Sequence, residues 1–298
     1  MSERSAQLRE QVVGKSAFLV DGAMGTELVR LGVPAGADAS VTHPEAVESV
    51  HKSYVDAGSQ AIITNTLTAN RIYMETHGSS TALDRVNRAA VGAALRAVEG
   101  APVFVFGDVG PTGQMLEPYG TYTVETIESN YEEQVRLLVE AGVDGLYIET
   151  MFDLNEALCA TRAARRVAPD LPLVVSLSFS TAADGGRTMM GNGAAESALA
   201  CTHAGADAFG LNCGDLAPAD FATIVGAIKE AGDIRVAVEP NAGKPRLEGD
   251  NTVYDMPPDA FADGIEACLA AGADIVGGCC GTGPAHIKAL SETLQKLS

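Results

Sequence analysis

Three cysteines carry the most readable chemistry in this chain. Cys213 lies in GLNCGD at the end of one apolar run, and the vicinal pair Cys279 and Cys280 lies in IVGGCCGTG at the end of another. Thiolate sulfur is a preferred zinc ligand, and three ligands with a fourth position open mark a catalytic site rather than a closed structural one. Adjacent residues on a strand point to opposite faces, so both members of the pair reach one metal only where the strand breaks. Gly277, Gly278 and Gly281 flank the pair and permit that break. The competing reading is that these thiols are small buried hydrophobes, a common fate of free cysteine, because a separated Cys…CysCys is a weaker metal signature than paired CxxC motifs. Cys159, Cys201 and Cys268, each inside a predicted helix, take that second reading.

A repeated plan brings the two cysteine segments together. AGSQAIITNT from Ala57, AGVDGLYIET from Ala141, AGADAFGLNC from Ala204 and AGADIVGGCC from Ala271 share it. Each reads as a helix end closed by glycine, a short polar turn, then an apolar strand ending in polar or metal-capable residues. Their glycines, Gly58, Gly142, Gly205 and Gly272, lie 84, 63 and 67 residues apart by subtraction. One β/α unit takes roughly 30 residues, so each interval holds two units and a further strand. Those strands read as PVFVFGDVGPTG (102–113), LPLVVSLSFS (171–180) and DIRVAVEPNAG (233–243), and SAFLVDGAMGTEL (16–28) precedes them all. Apolar strands alternating with helical stretches such as YEEQVRLLVEAG (131–142) and PDAFADGIEACLAAG (258–272) predict a parallel α/β sheet. Eight units match a single (β/α)8 TIM barrel spanning 1–298. A doubly wound Rossmann sheet is the alternative, but no strand is followed by GxGxxG, and Gly107, Gly110 and Gly113 have the wrong spacing.

Active sites of such barrels sit at the C-terminal ends of the strands. Here those ends carry Asp21, Asn65, Asp108, Glu149, Cys213, Asn241 and the Cys279–Cys280 pair. Cys213 ends strand six, the pair ends strand eight, and Asn241 follows strand seven between them, so the barrel itself supplies a reason for the thiols to converge.

Bulk properties exclude other classes. The formal net charge of −19, with no basic stripe and no nucleic-acid motif, would repel a phosphate backbone, so no nucleic-acid partner is expected. No run approaches the roughly 18 apolar residues of a membrane helix, and the start MSERSAQLREQ lacks the apolar core of a secretory signal. Six cysteines in such a chain suit the reducing cytoplasm, without a membrane partner.

With these residues in view, the chain resembles the homocysteine S-methyltransferase family. That family takes in betaine–homocysteine methyltransferases, S-methylmethionine-dependent enzymes and the homocysteine-binding domain of cobalamin-dependent methionine synthase. The resemblance runs from about Phe18 to Ile287. It rests on DGAMGTEL (21–28), TNTLTAN (64–70), GPTG (110–113), IETMFDLNEA (148–157), GLNCG (210–214), PNAG (240–243) and GGCCGT (277–282). It implies Zn2+ held by Cys213, Cys279 and Cys280, with Asn241 at the position of a fourth ligand that substrate displaces in the methionine synthase branch. Glu149 then pairs with the amino group of homocysteine, and the turn Asp21-Gly22-Ala23-Met24 offers backbone N–H groups to its carboxylate. Asn65, in TNTLTAN, joins the substrate-binding set. From the residues alone, the plainer readings are favoured: 21–25 as an ordinary tight turn and Glu149 as a helix N-terminal acid.

The activity so implied is methyl transfer from a small onium donor, of betaine or S-methylmethionine type, to the zinc-activated thiolate of homocysteine, giving methionine. The alternative is one component of a corrinoid-dependent system, trading methyl groups with a separate corrinoid protein. A non-enzymatic zinc-binding barrel is a third reading, against which Glu149, Asn241 and the 21–25 turn argue, since zinc storage needs none of them. The donor is the open point. Betaine-using relatives resemble one another in an aromatic cage around the trimethylammonium group, including a tryptophan in the loop after strand one. This chain has no tryptophan; it has AGADASVTHPE (35–45) there and Leu67 and Thr68 after strand two. Tyr73, Tyr119 and Tyr122 are candidate substitutes or plain packing. GPTGQMLEPYGTYT (110–123) and GGRTMMGNG (185–193) resemble short bacterial betaine-dependent members, whereas TNT and PNAG lean toward methionine synthase. GGRTMMGNG reads as a mobile lid or as a routine connection, and His286 as a surface helix histidine or a fourth zinc ligand.

Overall fold

β1 (Phe18–Leu19), β2 (Ala61–Ile63), β3 (Phe104–Val109), β4 (Gly145–Met151), β5 (Leu173–Leu177), β6 (Ala208–Asn212), β7 (Val236–Glu239) and β8 (Ile275–Val276) form one parallel sheet in the order β1-β8-β7-β6-β5-β4-β3-β2. This is the (β/α)8 barrel expected from the repeat. The computed structural model describes residues 2–249 and 251–297; Met1, Asp250 and Ser298, which the reading of 1–298 as one domain includes, lie outside them.

The sheet is nearly closed between β1 and β2. There Gln60 N–H donates to Leu19 O at 2.8 Å, and the Gln60 side-chain oxygen accepts from Leu19 N–H at 2.9 Å. Two residues past the strand, Asp21 Oδ2 accepts from Ile63 N–H at 3.0 Å. Side chains thus stand in for ladder acceptors at the seam, because β1 spans only two residues and leaves an N–H on each strand without a backbone partner.

Helices lie between the strands as the pattern requires, among them Pro44–Ala57, Val124–Ala141, Leu154–Val167 and Pro284–Leu297. The Ala-Gly repeat is the stop signal. Gly58, Gly142, Gly205 and Gly272 have φ of 105°, 101°, 114° and 107°, the left-handed backbone that glycine adopts without a Cβ clash at helix ends. Two cores result. Phe106, Tyr147, Val174, Ala208 and Ala237 fill the barrel interior, and the helix Glu3–Val13 plugs its N-terminal end with Leu8 and Val12. The sequence pattern gave that helix no role. The second core lies between strands and helices and takes up Cys159, Cys201 and Cys268, all fully buried. Burial pushes the thiols of Cys159, Cys201 and Cys268 up to about 11, 12 and 12, so they remain protonated and unreactive.

His51, on Pro44–Ala57, is fully buried with neither ring nitrogen hydrogen-bonded. Burial lowers it from 6.5 to about 3. The folded protein therefore keeps it neutral while the unfolded chain takes a proton below pH 6.5. Its contribution to stability is whole above pH 6.5 and is lost as pH falls toward 3, at up to about 1.4 kcal/mol per pH unit. Urea unfolding of His51→Leu beside the parent will show the parent losing about 2 kcal/mol more between pH 6.5 and 5. Parallel pH slopes for the two proteins would refute the assignment.

Candidate metal centre and substrate cavity

β8 ends at Val276, and Gly277 to Cys279 run on outside any strand. This is the break that the vicinal pair demanded, placed three residues earlier than a pair ending the strand. The freed segment is stitched to its neighbours: Gly278 N–H donates to Asp21 O (3.0 Å), Cys279 N–H to Pro240 O (2.9 Å), and Cys280 O accepts from Ala242 N–H (2.9 Å). A Cβ at Gly277 would lie 2.4 Å from Val20, so close approach fixes glycine there. Cys213 follows β6 with φ of 57°, and Thr150, beside Glu149 in β4, has φ of 59°. Left-handed backbone at a non-glycine residue costs about 1–3 kcal/mol and persists where surrounding bonds impose it. Here Cys213 N–H donates to Glu239 O (3.2 Å) and Thr150 N–H to Asn212 Oδ1 (3.0 Å).

The three sulfurs of Cys213, Cys279 and Cys280 lie within 4.8 Å of one another, the one such group of potential metal ligands among the described residues. Hydrogen bonds from Cys213 and Cys279 pull Cys280 down to about 3, so the triad already stabilises a thiolate. Asn241 is 1% exposed; its Nδ2 donates to Gly214 O at 2.7 Å, while its Oδ1 is buried with no hydrogen-bond partner. Three soft sulfur donors beside an orphaned amide oxygen fit zinc by donor chemistry. His286 fits neither expectation. It is 9% exposed, accepts from Gly283 N–H through Nδ1 (3.1 Å) and bonds the Met256 carbonyl through Nε2 (2.9 Å), so both nitrogens are taken and it is no surface residue.

Cys279 and Cys280 open on a cavity of about 350 Å³. Asp21, Gly22, Ala23 and Met24 form one wall, and Asn65 and Glu149 also face it. Two further carboxylates, Asp108 and Glu239, line it, and no described lysine, arginine or histidine does. Glu149 is pushed up to about 7, first by burial and then by its electrostatic interaction with the neighbouring Cys213 sulfur. Burial likewise pushes Asp21, Asp108 and Glu239 up. Ala23 N–H donates to Thr282 Oγ1 (3.1 Å) and is not free for a ligand, a correction to the expectation that the whole turn offers N–H groups. Asn65 Nδ2 donates to Gly36 O and Ser40 Oγ, each at 3.0 Å, and so ties the loop after β1 to the end of β2.

Cys213 and Asn241 instead line a second cavity of about 220 Å³, with Phe152, Phe179, Met189 and Tyr254. The cysteine triad thus stands between two cavities. Met189 belongs to the 185–193 segment, which folds back on Phe179–Thr181 as a short antiparallel hairpin. Of the three candidate cage tyrosines, Tyr73 lines the larger cavity, Tyr119 is 79% exposed and Tyr122 packs against the outer core.

Asn212 is the residue sequence reasoning missed. Its Oδ1 accepts from Thr150 N–H and Ser176 Oγ; its Nδ2 reaches Thr150 Oγ1 at 2.7 Å, Glu149 Oε2 at 3.3 Å and Cys279 Sγ at 3.9 Å. One amide therefore orients Glu149, braces the strained Thr150 and touches the metal site. The available signal was a lone amide inside an apolar strand, directly before Cys213. Glu239 is held likewise by the Tyr147 hydroxyl inside the barrel.

The model of one family, described as homocysteine S-methyltransferase, matches residues 18–294. The methionine synthase of Mycobacterium tuberculosis is 28% identical over 305 residues, covering 96% of this chain and 25% of that protein, so the chain spans about a quarter of its length. Among solved structures, the homocysteine methyltransferase MmuM of Escherichia coli in its metallated form is 25% identical with a TM-score of 0.77, covering 97% of this chain and 98% of that one. Its oxidized form superposes with a TM-score of 0.78 at 25% identity, covering 96% and 99%. A family match over nearly the whole barrel, on a chain whose strand ends assemble a three-cysteine centre beside an acidic cavity, settles its membership: the chain belongs to the homocysteine S-methyltransferase family.

Proposed function

We propose that this protein is a zinc-dependent methyltransferase that converts homocysteine to methionine with a small onium donor of the betaine or S-methylmethionine type. The observation that carries it is three sulfurs within 4.8 Å, two of them opening on a cavity that Glu149 also lines. Zinc held by Cys213, Cys279 and Cys280 would supply a thiol deprotonated at neutral pH yet still nucleophilic, where a free thiol of pKa about 8.5 stays mostly protonated. Asn241 is the replaceable fourth ligand in this reading, its unpartnered Oδ1 being the support.

The chain's own residues do the positioning. Glu149, oriented by Asn212, pairs with the ammonium of homocysteine. With Ala23 N–H occupied, the carboxylate falls to the main chain at Gly22 and Met24, on the wall that also carries Asp21. Asn65 fixes the facing loop. Holding both ends of the amino acid leaves its sulfur to the triad, and such orientation supplies much of the rate. The new S–CH3 bond forms as the donor's N–CH3 or S–CH3 bond breaks, and the donor departs as a neutral amine or sulfide. The residues 1–298 work as one domain, in the cytoplasm; no described helix is long and apolar enough to cross a membrane.

A second reading rests on the methionine synthase relative, about four times the length of the matched region. In it a separate corrinoid protein delivers the methyl group to the same thiolate. One donor panel separates the two. Zinc-loaded protein and homocysteine are offered betaine, S-methylmethionine, S-adenosylmethionine, dimethylsulfoniopropionate or methylcobalamin, and methionine is read by mass spectrometry. Methionine from an onium donor is the expected result; methionine from methylcobalamin alone would transfer the function to the corrinoid reading.

A further inference from the structure

Asp108 is a buried carboxylate to which the roles above assign nothing. It lies near the end of β3, 3% exposed, and faces the larger cavity together with Glu149. Its backbone is pinned on both sides: Asp108 N–H donates to Thr64 Oγ1 (3.0 Å), and Asp108 O accepts from Thr66 Oγ1 (2.7 Å). Its carboxyl group is pushed up first by burial and then by the nearby charge of Glu149, while its Oδ1 is buried without any hydrogen-bond partner. The other acids of the cavity are differently placed. Asp21 Oδ2 accepts from Ile63 N–H and Glu239 from the Tyr147 hydroxyl. Of the four described carboxylates there, Asp108 alone has a buried oxygen with no hydrogen bond.

A buried acceptor without a donor is costly, and buried charge is tolerated where a counter-charge or a ligand meets it. Among the described residues no basic side chain lines the cavity. A second metal ion is disfavoured, because outside the cysteine triad no three potential ligand atoms among the described residues lie within 4.8 Å of one another. The remaining chemistry is a small organic cation with several N–H donors. An ammonium group carries three, enough to serve Glu149 and Asp108 at once.

We infer that Asp108 is the second anchor of the acceptor's ammonium group, so that the cavity selects thiols carrying an α-amino group over thiols that lack one. This rests on the homocysteine reading given above and adds its basis of selectivity. Asp108 is a binding residue in this account and takes no part in bond making.

The test compares L-homocysteine with 4-mercaptobutanoate, the same molecule without its amino group, by calorimetry on zinc-loaded protein. Asp108→Asn is expected to weaken homocysteine binding by about tenfold or more and leave 4-mercaptobutanoate within about twofold, with zinc content unchanged. A structural role would move both ligands together, and that result, or no change in either, overturns the inference. Glu149→Gln gives a second measurement should the first variant fold poorly. It is expected to keep a residual preference for the amino thiol, supplied by Asp108; complete loss of preference there also overturns it. Failure of the parent protein to bind homocysteine would instead remove the acceptor reading itself, and this inference with it.

Discussion

Cys213→Ser is expected to leave the protein folded, nearly free of zinc, and slower in methionine formation by roughly 10³-fold or more. Serine keeps the shape of the side chain but replaces a soft thiolate donor with a hydroxyl that stays protonated. Metal activation of a nucleophile is worth several kcal/mol, and each 1.36 kcal/mol is about a factor of ten in rate. The same outcome is expected for Cys279→Ser and Cys280→Ser, since all three sulfurs belong to one cluster. Cys201→Ala supplies the contrast: its thiol is fully buried in the outer core, and the variant is expected to lose stability while keeping zinc and turnover. Zinc is counted by elemental analysis and methionine by mass spectrometry. A Cys213→Ser protein with full zinc and full activity would end the zinc assignment.

The cysteine triad was legible because its spacing carried a geometric demand, a broken strand at 277–280, that the barrel then met. The barrel was legible because its signals are local: glycine at helix ends and apolar runs at regular intervals. What the sequence hid depends on partners far apart in the chain. Asn212 gains its meaning from Thr150, Ser176 and Cys279, on β4, on β5 and past β8, and nothing near residue 212 announces them. Asp21 was readable as a mouth residue but not as a seam closure, which follows from β1 being too short to pair fully with β2. His286 read as a surface residue because it opens a helix; the chain before Pro258 folds back and covers it with the Met256 carbonyl. The Ala23 N–H is occupied by Thr282, which comes from the far end of the chain to the same mouth of the barrel.

Glu149→Gln is the complementary case, in which the metal centre survives and recognition fails. The substitution keeps size and shape but removes the charge that would meet an ammonium, and Asn212 can still hold the amide oxygen. Truncating one partner of a buried charge pair costs about 2–5 kcal/mol, which is a loss of roughly 30- to 5,000-fold in kcat/KM. The loss should fall chiefly on the KM for homocysteine, because the thiol chemistry is untouched and an ammonium contact is made in the ground state and the transition state alike. Zinc content should equal that of the parent, which separates this variant from the cysteine series. A further sign comes from the strained residue beside it. Thr150 is held at φ 59° by Asn212 and not by Glu149, so thermal unfolding of Glu149→Gln should show no destabilisation, and relief of a buried carboxylate pushed up to about 7 should raise stability slightly at pH 8. Removing Asn212 instead would release Thr150 and Glu149 together. A Glu149→Gln enzyme with unchanged KM and kcat would show that the ammonium sits elsewhere in the cavity.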